Sequence, residues 1–265
     1  MILTLGQSLL TQNIVGHTFS PRSIPELLYW FDFGFRPSIT LSGSNISSIR
    51  NRGSRTSQAM GTTGASSGNA REPLFSQETI ANATYGVANF DSSNSEAMQL
   101  VSTSDLSTAI KDSWSDNYTV WAVVDVAGSG SNRGIWSGRN PNRFTTFFLN
   151  DDTQVTNLVF HDSGSTSEGI APSDLNDRAI LVGVVDKANE TMETFFNNQT
   201  NGAKDLTGKT LVSSDTNVYI GKGNTSGAYM EGKIFECGIY DVALSTAQRQ
   251  NLQNYAASKY QITLS

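Results

Sequence analysis

The sequence predicts an all-β protein, a two-sheet antiparallel sandwich with one helix near its C-terminal end. Short stretches of β-branched and aromatic residues recur along the chain, separated by turn-forming Gly, Asn, Asp and Ser. Only the segment after the last of these stretches carries a complete helix-start pattern. About a dozen strands and a single helix are typical of two packed sheets.

The composition is compatible with one domain and argues against nucleic-acid binding. The chain has 265 residues and a formal net charge of −6, and only 16% of its residues are charged. A chain of this length can bury roughly 75% of its unfolded surface in one core. The nearest approach to a basic cluster is Arg50, Arg52 and Arg55. We interpret it as a solvated loop and expect no nucleic-acid partner.

Cysteine content and hydropathy set further expectations. Cys237 is the single cysteine, so no internal disulfide can form, and its position in a strand predicts a small buried hydrophobe. No apolar run reaches the ~18–20 residues needed to span a bilayer. The first residues lack the basic start and uninterrupted apolar run of a signal peptide. We therefore expect no membrane partner.

The N-terminal segment Met1–Pro21 differs from the rest because it carries no charged side chain. Its apolar residues are dispersed among polar ones, so it is neither a clean helix nor a clean strand. We predict an arm over residues 1–22 that packs on its own domain or on a neighbour, and a sandwich domain over residues 23–265. The arm residues expected to mediate assembly are Ile2, Leu5, Leu9, Leu10 and Ile14.

The strand pattern is clearest in Asn117–Val126, which is apolar on both faces and is expected at the centre of a sheet. Tyr85–Asp91 and Ala97–Val101 are predicted to form a hairpin, and Gly53–Ala70 and Gly164–Leu175 to be loops. A helical turn is possible over residues 105–110. The other predicted strands are Leu28–Asp32, two within Ile39–Ile49, Arg133–Gly138, Arg143–Asn150, Gln154–His161, Ala179–Asp186, Thr191–Asn197, Asn217–Gly221 and Lys233–Tyr240.

The predicted helix follows the last strand directly. Ser245 and Gln248 have the spacing of a capping box, in which each side chain bonds the backbone N–H of the other residue. The buried face predicted from helical spacing consists of Leu252, Tyr255, Ala256 and Lys259.

A family resemblance rests on this C-terminal region. The run Gly232–Ser245, with its Ile-Tyr-Asp-Val-Ala-Leu-Ser end, and the helix that ends in Lys259-Tyr260 resemble the C-terminal signature of laminin-G-like (concanavalin A-like) jelly-roll domains. Pro25–Asp32, Ile39–Ile46 and Val87–Asp91 resemble earlier strands of the family. The resemblance implies a jelly-roll sandwich. It leaves function open, because the fold hosts lectins, hydrolases, adhesion modules and virion proteins.

No catalytic constellation is visible in the sequence. Glycoside hydrolysis usually needs two carboxylates on either side of one bond. Glu190 and Glu193 are three apart, and Glu231 and Glu236 are five apart, so alternation along a strand sends each pair to opposite faces. There is no nucleophile elbow, phosphate-binding loop or zinc-ligand spacing. We predict that the protein is not an enzyme.

Sugar recognition would require an exposed aromatic ring flanked by polar side chains. The best candidate is Trp136, with Arg139 and Asn140 beside it, and the second is Tyr229. A core position for Trp136 is an equally good interpretation, because aromatic residues dominate sandwich interiors. Trp30, like Trp114 and Trp121, is predicted to pack in the interior.

Calcium is the one cofactor that the sequence leaves open. Asn150, Asp151, Asp152 and Asp162 could supply oxygen ligands at the end of a strand, although a plain surface turn explains them as well. We predict no bound metal and no other cofactor.

Three functional hypotheses follow. The first is a non-enzymatic structural or interaction protein of a bacteriophage virion, as a capsid decoration protein or a tail or fibre component. Its partners would be other virion proteins or copies of itself, and its location the virion. The alternative is a carbohydrate-binding, lectin-like adhesion module that recognises surface glycans. The third is a glycan hydrolase.

Overall fold

Two antiparallel sheets pack face to face, and a helix covers the outer face of one of them. The computed structural model describes residues 19–56, 59–61, 71–101, 117–125, 133–139, 146–150, 155–161, 165–170, 178–209, 217–222 and 229–264. Their strands are β1 (Leu27–Asp32), β2 (Ile39–Ser42), β3 (Asn45–Arg50), β4 (Ala59–Gly61), β5 (Leu74–Ile80), β6 (Ala83–Phe90), β7 (Met98–Val101), β8 (Asn117–Asp125), β9 (Arg133–Arg139), β10 (Thr146–Asn150), β11 (Val155–His161), β12 (Ser165–Ile170), β13 (Arg178–Asp186), β14 (Thr191–Phe196), β15 (Lys204–Asp205), β16 (Asn217–Ile220) and β17 (Gly232–Tyr240). The helix, α1, spans Thr246–Tyr260. The predicted fold class is confirmed.

The first sheet, called here the helix-side sheet, is organised around β17. One edge of β17 pairs with β8 along most of its length. The other edge is shared, because β6 pairs with Gly232–Ile234 and β1 with the C-terminal half of the strand. β13, β14 and β15 extend the sheet beyond β8, and β5 extends it beyond β6. The first and last strands of the domain are therefore neighbours.

The second sheet, called here the outer sheet, has the order β2-β3-β4-β7-β16-β9-β10-β11-β12. It is joined to the helix-side sheet where Asn45 of β3 pairs with Leu74 of β5. The main hydrophobic core lies between the two sheets and includes Ile49 and Ile220 from the outer sheet and Val120 and Cys237 from the helix-side sheet. Burial raises the pKa of the Cys237 thiol well above its usual range.

The central strand β8 shows why the sequence is apolar on both faces. Tyr118, Val120, Ala122 and Val124 point into the main core. Trp121 and Val123 point the other way, into a second apolar cluster beneath α1. A strand buried on both sides needs apolar residues at every position, and the central placement predicted for it is confirmed.

The helix begins and packs as its sequence predicts. The Ser245 hydroxyl accepts a hydrogen bond from the Gln248 N–H at 3.3 Å, and the Gln248 side chain accepts one from the Ser245 N–H at 3.0 Å. Leu252, Ala256 and Tyr260 are buried against the helix-side sheet, and Tyr255 is half-buried. A buried face, rather than propensity alone, holds a helix of this length in place.

Three sequence-based assignments are wrong. β6 and β7 do not form a hairpin, because β6 pairs with β5 and β17, whereas β7 crosses to the outer sheet and pairs with β4 and β16. The predicted loop Gly53–Ala70 contains β4, and the predicted loop Gly164–Leu175 contains β12. β4 has only three residues, and β12 has a single apolar side chain, Ile170, so neither has the apolar alternation by which strands are recognised.

The end of the N-terminal arm lies on the domain. The Phe19 ring packs edge-on against Tyr255, with ring centroids 6.3 Å apart. The Tyr240 hydroxyl donates to the backbone carbonyl of Pro21 at 3.1 Å. The five predicted assembly residues, Ile2 to Ile14, and the possible turn over residues 105–110 lie outside the described residues.

No helix within the described residues is long and apolar enough to cross a membrane.

Replacing the helix cap tests how much the terminal helix depends on its first turn. We expect Ser245→Ala to lower the free energy of unfolding by about 1 kcal/mol, because a backbone N–H of the first turn loses its acceptor. Ser258→Ala, an exposed position inside the same helix, is the matched control and should change it by a few tenths or less. Urea unfolding measures both values, and equal losses would contradict the capping role.

Candidate functional site

Trp136, the first sugar-binding candidate, lies in the main core. It is 3% exposed, and its ring centroid is 6.0 Å from that of Phe31. In β9 it stands opposite Ile220 of β16, whose side chain also points into the core. The expectation of an exposed ring is therefore corrected, and the core alternative holds. The inward register of β9 decides this, and the sequence of β9 alone does not reveal it.

Tyr229, the second candidate, lies in a cluster on the outward face of the outer sheet. We call Tyr219, Lys222 and Tyr229 the tyrosine–lysine cluster. The Lys222 ammonium is 5.1 Å from the Tyr219 ring centroid and 5.0 Å from that of Tyr229. Tyr219 and Lys222 are buried, whereas Tyr229 is half-buried and so presents part of its ring at the surface. Cation–π contacts of this kind hold the rings in place.

The backbone on which this cluster is built is itself fixed. Lys222 pairs with Tyr229 through an isolated bridge, and the Met230 N–H donates to the Gly221 carbonyl at 2.9 Å. The Ser137 hydroxyl donates to the Lys222 carbonyl. Ser137 directly follows Trp136, and Lys222 pairs with Tyr229. The contact between Ser137 and Lys222 therefore connects the strand that carries the core residue Trp136 to the segment that carries Tyr229.

The remaining predicted residues are less defined. Arg139 is the last residue of β9 and stands opposite Asn217 in β16. Asn140 lies outside the described residues, as do Asp151, Asp152 and Asp162 of the possible calcium site. Within the described part of the chain, no group of three or more His, Cys, Asp or Glu side chains could hold a metal ion.

A pair of carboxylates that the sequence analysis missed lies beneath α1. Asp32 of β1 stands directly opposite Glu236 of β17. Both are buried, Glu236 completely. A comparison of acids along a single strand does not find this pair, because Asp32 and Glu236 meet across two strands from opposite ends of the chain. The available signal was a charged residue inside each of two apolar strands, because such residues are rarely buried without partners.

Glu236 reaches the helix because β17 is irregular. The pairing with β8 shifts register between Ile234 and Glu236. As a result Phe235 packs in the apolar cluster beneath α1 and the adjacent Glu236 also bonds to the helix, although strict alternation would separate them.

Four donors satisfy the buried carboxylate of Glu236. Trp30 Nε1 donates to Oε2 at 2.7 Å, and the Tyr255 hydroxyl lies 2.9 Å from Oε1. The Tyr260 hydroxyl and the Lys259 ammonium both donate to Oε1. Burial, followed by the Glu236 charge, raises the pKa of both tyrosine hydroxyls, so they remain protonated donors.

Two cations partly compensate the charge of Asp32, whereas the neighbouring carboxylate of Glu236 repels it. Asp32 forms salt bridges with Arg52 and, at 3.8 Å, with Lys259. Burial, followed by the Glu236 charge, raises the pKa of Asp32 from 3.8 to about 6, against the lowering effect of Lys259 and Arg52. A carboxyl with such a pKa is often found in active sites. Here, however, Glu236 has no exposed surface, and all its partners belong to the contact between helix and sheet. The pair therefore fastens α1 rather than facing a cleft.

The fold is that of a two-sheet β-sandwich whose buried carboxylate pair lies beneath α1. The family model of the concanavalin A-like lectin/glucanases superfamily matches residues 92–248, and the chain belongs to this superfamily.

Solved structures resemble the chain in fold. The receptor binding domain of botulinum neurotoxin D aligns with a TM-score of 0.55 and 12% identity, over 87% of this chain and 52% of that one. NanB with Optactamide aligns with a TM-score of 0.50 and 16% identity, over 73% and 28%. The CBM40 of Ruminococcus gnavus IT-sialidase bound to α2,6 sialyllactose aligns with a TM-score of 0.46 and 15% identity, over 56% of this chain and 86% of that one. No curated protein matches the sequence.

The raised pKa of Asp32 predicts an unusual pH dependence of stability. The folded protein binds this proton more tightly than the unfolded chain, so the free energy of unfolding should increase as the pH falls from about 7.5 to about 5.5. Between these two pH values the Asp32 contribution is about 1 kcal/mol, and Asp32→Asn should remove most of it.

Urea unfolding at the two pH values measures this effect. Asp205→Asn is the matched control, because Asp205 is exposed and its pKa is lowered by the Thr207 hydroxyl, so it titrates below this range. The control should keep the pH dependence of the original protein. An Asp32→Asn variant that keeps it as well would contradict the assignment.

Proposed function

We propose that this protein is a non-catalytic carbohydrate-binding module whose glycan contact includes the tyrosine–lysine cluster. The observation that carries the proposal is the half-buried Tyr229 ring, held over Lys222 on the outward face of the outer sheet. A tyrosine fixed in this way offers a rigid, amphipathic surface at low entropic cost, which suits the mixed apolar and hydroxylated faces of a sugar ring.

Membership of the superfamily and the position of the site support this proposal. The outer face of the helix-side sheet is covered by α1, and in the tyrosine–lysine cluster on the outer sheet Tyr229 is the member that stays partly exposed. The buried pair of Asp32 and Glu236 lies beneath α1 on the other sheet, away from the tyrosine–lysine cluster. Arg139 and Asn140, one residue beyond β9, remain predicted contacts of the same site.

A glycan array with the full chain tests this proposal. We expect reproducible binding, and a loss of affinity of about tenfold in Tyr229→Ala, since an aromatic contact is worth up to about 1.5 kcal/mol. Leu74→Ala is the matched control, because it truncates an exposed apolar side chain on β5. Trp136→Ala is unsuitable, because emptying a core tryptophan site lowers stability by roughly 3–5 kcal/mol.

Absence of binding to every glycan would overturn the proposal. Equal losses in the Tyr229 and Leu74 variants would remove Tyr229 from the site. Release of reducing sugar from a bound glycan would favour hydrolysis instead.

The narrower assignment to a virion, as capsid decoration or tail component, stays a prediction from the sequence. It rests on the arm, whose five predicted assembly residues lie outside the described residues. Deleting residues 1–18 tests it and leaves the contacts of Phe19 and Pro21 intact. If the arm mediates assembly, light scattering should show smaller particles after deletion. Unchanged particle size would exclude the arm from assembly.

A further inference from the structure

A group of four arginines surrounds the turn between β1 and β2. We call Arg22, Arg36, Arg50 and Arg52 the arginine face. The Arg52 guanidinium lies between the rings of Trp30 and Phe35, with its central carbon 4.0 Å from each ring centroid. Arg22 Nε donates to the Arg52 carbonyl at 2.8 Å.

The other two arginines are anchored to the same turn. Arg36 Nη1 donates to the Ile39 carbonyl at 2.8 Å, and Arg50 Nη2 donates to the Pro37 carbonyl at 2.9 Å. A guanidinium has five N–H donors, so each of these side chains keeps most of them for another partner. Since the backbone bonds already restrict the side chains, less entropy is lost when a ligand binds.

The local charge is opposite to that of the whole chain. Arg22, Arg36 and Arg50 are exposed, and within the described residues Arg52 is the only one of the four in a salt bridge, with Asp32. Lys259 adds a further positive charge 3.8 Å from Asp32. The chain as a whole carries 24 acidic and 18 basic residues. Concentrating cations in one place on an acidic protein creates a local positive potential that attracts anions.

Phe35 gives this surface an apolar element. It is 41% exposed, which makes it one of two large hydrophobic side chains classed as exposed within the described residues. One face of its ring carries Arg52, so the remainder is open to solvent and fixed in orientation. An aromatic ring beside anchored guanidinium groups can take a ring-shaped ligand that carries anionic groups.

We propose that the arginine face is a second binding site, separate from the tyrosine–lysine cluster, for an anionic polysaccharide that carries sulfate or carboxylate groups. Arg36 and Arg50 bind the anionic groups through paired N–H donors, which match the geometry of planar and tetrahedral oxyanions. Phe35 contacts the sugar ring. Arg52 positions Phe35 and is itself held by Asp32, so the buried carboxylate pair supports this surface from below.

Binding of a heparin octasaccharide, measured by calorimetry in low salt, tests this inference. We expect Arg36→Gln/Arg50→Gln to weaken binding by at least about tenfold, because it removes two charge-assisted contacts. Lys204→Gln/Lys209→Gln removes the same charge near β15, at the opposite edge of the helix-side sheet, and should leave binding unchanged. Thermal unfolding checks that both variants fold, and higher salt should weaken binding of the original protein.

Each alternative outcome has a definite meaning. Phe35→Ala should weaken heparin binding further if the ring contacts sugar. No binding of the octasaccharide, or equal loss in both double variants, would overturn the site. Equal binding of neutral dextran would show that charge does not drive binding and would overturn the proposal of an anionic ligand. Tighter binding of duplex DNA of matched charge would assign the surface to nucleic acid instead. Loss of heparin binding with neutral-glycan binding retained would separate this site from the tyrosine–lysine cluster.

Discussion

The buried carboxylate of Glu236 is the constraint on which the helix side of this structure depends. A carboxylate without exposed surface is tolerated only when donors surround it, because an uncompensated buried charge costs several kcal/mol. Its donors come from β1 and from α1, so the first strand, the last strand and the helix must meet in one arrangement. Sliding or rotating the helix would take Tyr255, Lys259 and Tyr260 out of their present positions around the carboxylate. The charge thereby specifies where an otherwise weakly amphipathic helix lies.

The same network reaches the protein surface. Asp32 pairs with Glu236 across the strands and with Arg52 at its other side, and Arg52 stacks between Trp30 and Phe35. The interior charges therefore hold an exposed aromatic ring in a fixed orientation. The helix closes one outer face of the sandwich, which leaves the outer sheet and the β1–β2 turn for ligands. Two chemically different surfaces, one with tyrosines and one with arginines, can then act without competing.

Much of the fold could be predicted because burial leaves a periodic mark on the sequence. β8 and β13 carry apolar residues on both faces, and the capping box of Ser245 marks the helix start within the local sequence. β5 and β12 were missed, since four consecutive polar residues interrupt β5 and β12 has one apolar side chain, so pairing with neighbouring strands rather than propensity makes them strands. The hairpin expected between β6 and β7 failed for the same reason. Proximity in sequence favours a hairpin, but the partner strands β5 and β4 were not visible.

The candidate sites also differ in how much of them can be predicted from local sequence. Local sequence was sufficient to place Trp30 and Trp121 in the interior, whereas the sugar contact of Tyr229 stays a prediction. Only the tertiary structure decided which face Trp136 occupies, that Asp32 meets Glu236, and that four arginines from three separate stretches meet around the β1–β2 turn. The reason is physical: side-chain periodicity is set by the backbone of one segment, whereas strand register and the contacts between distant segments depend on how the two sheets pack.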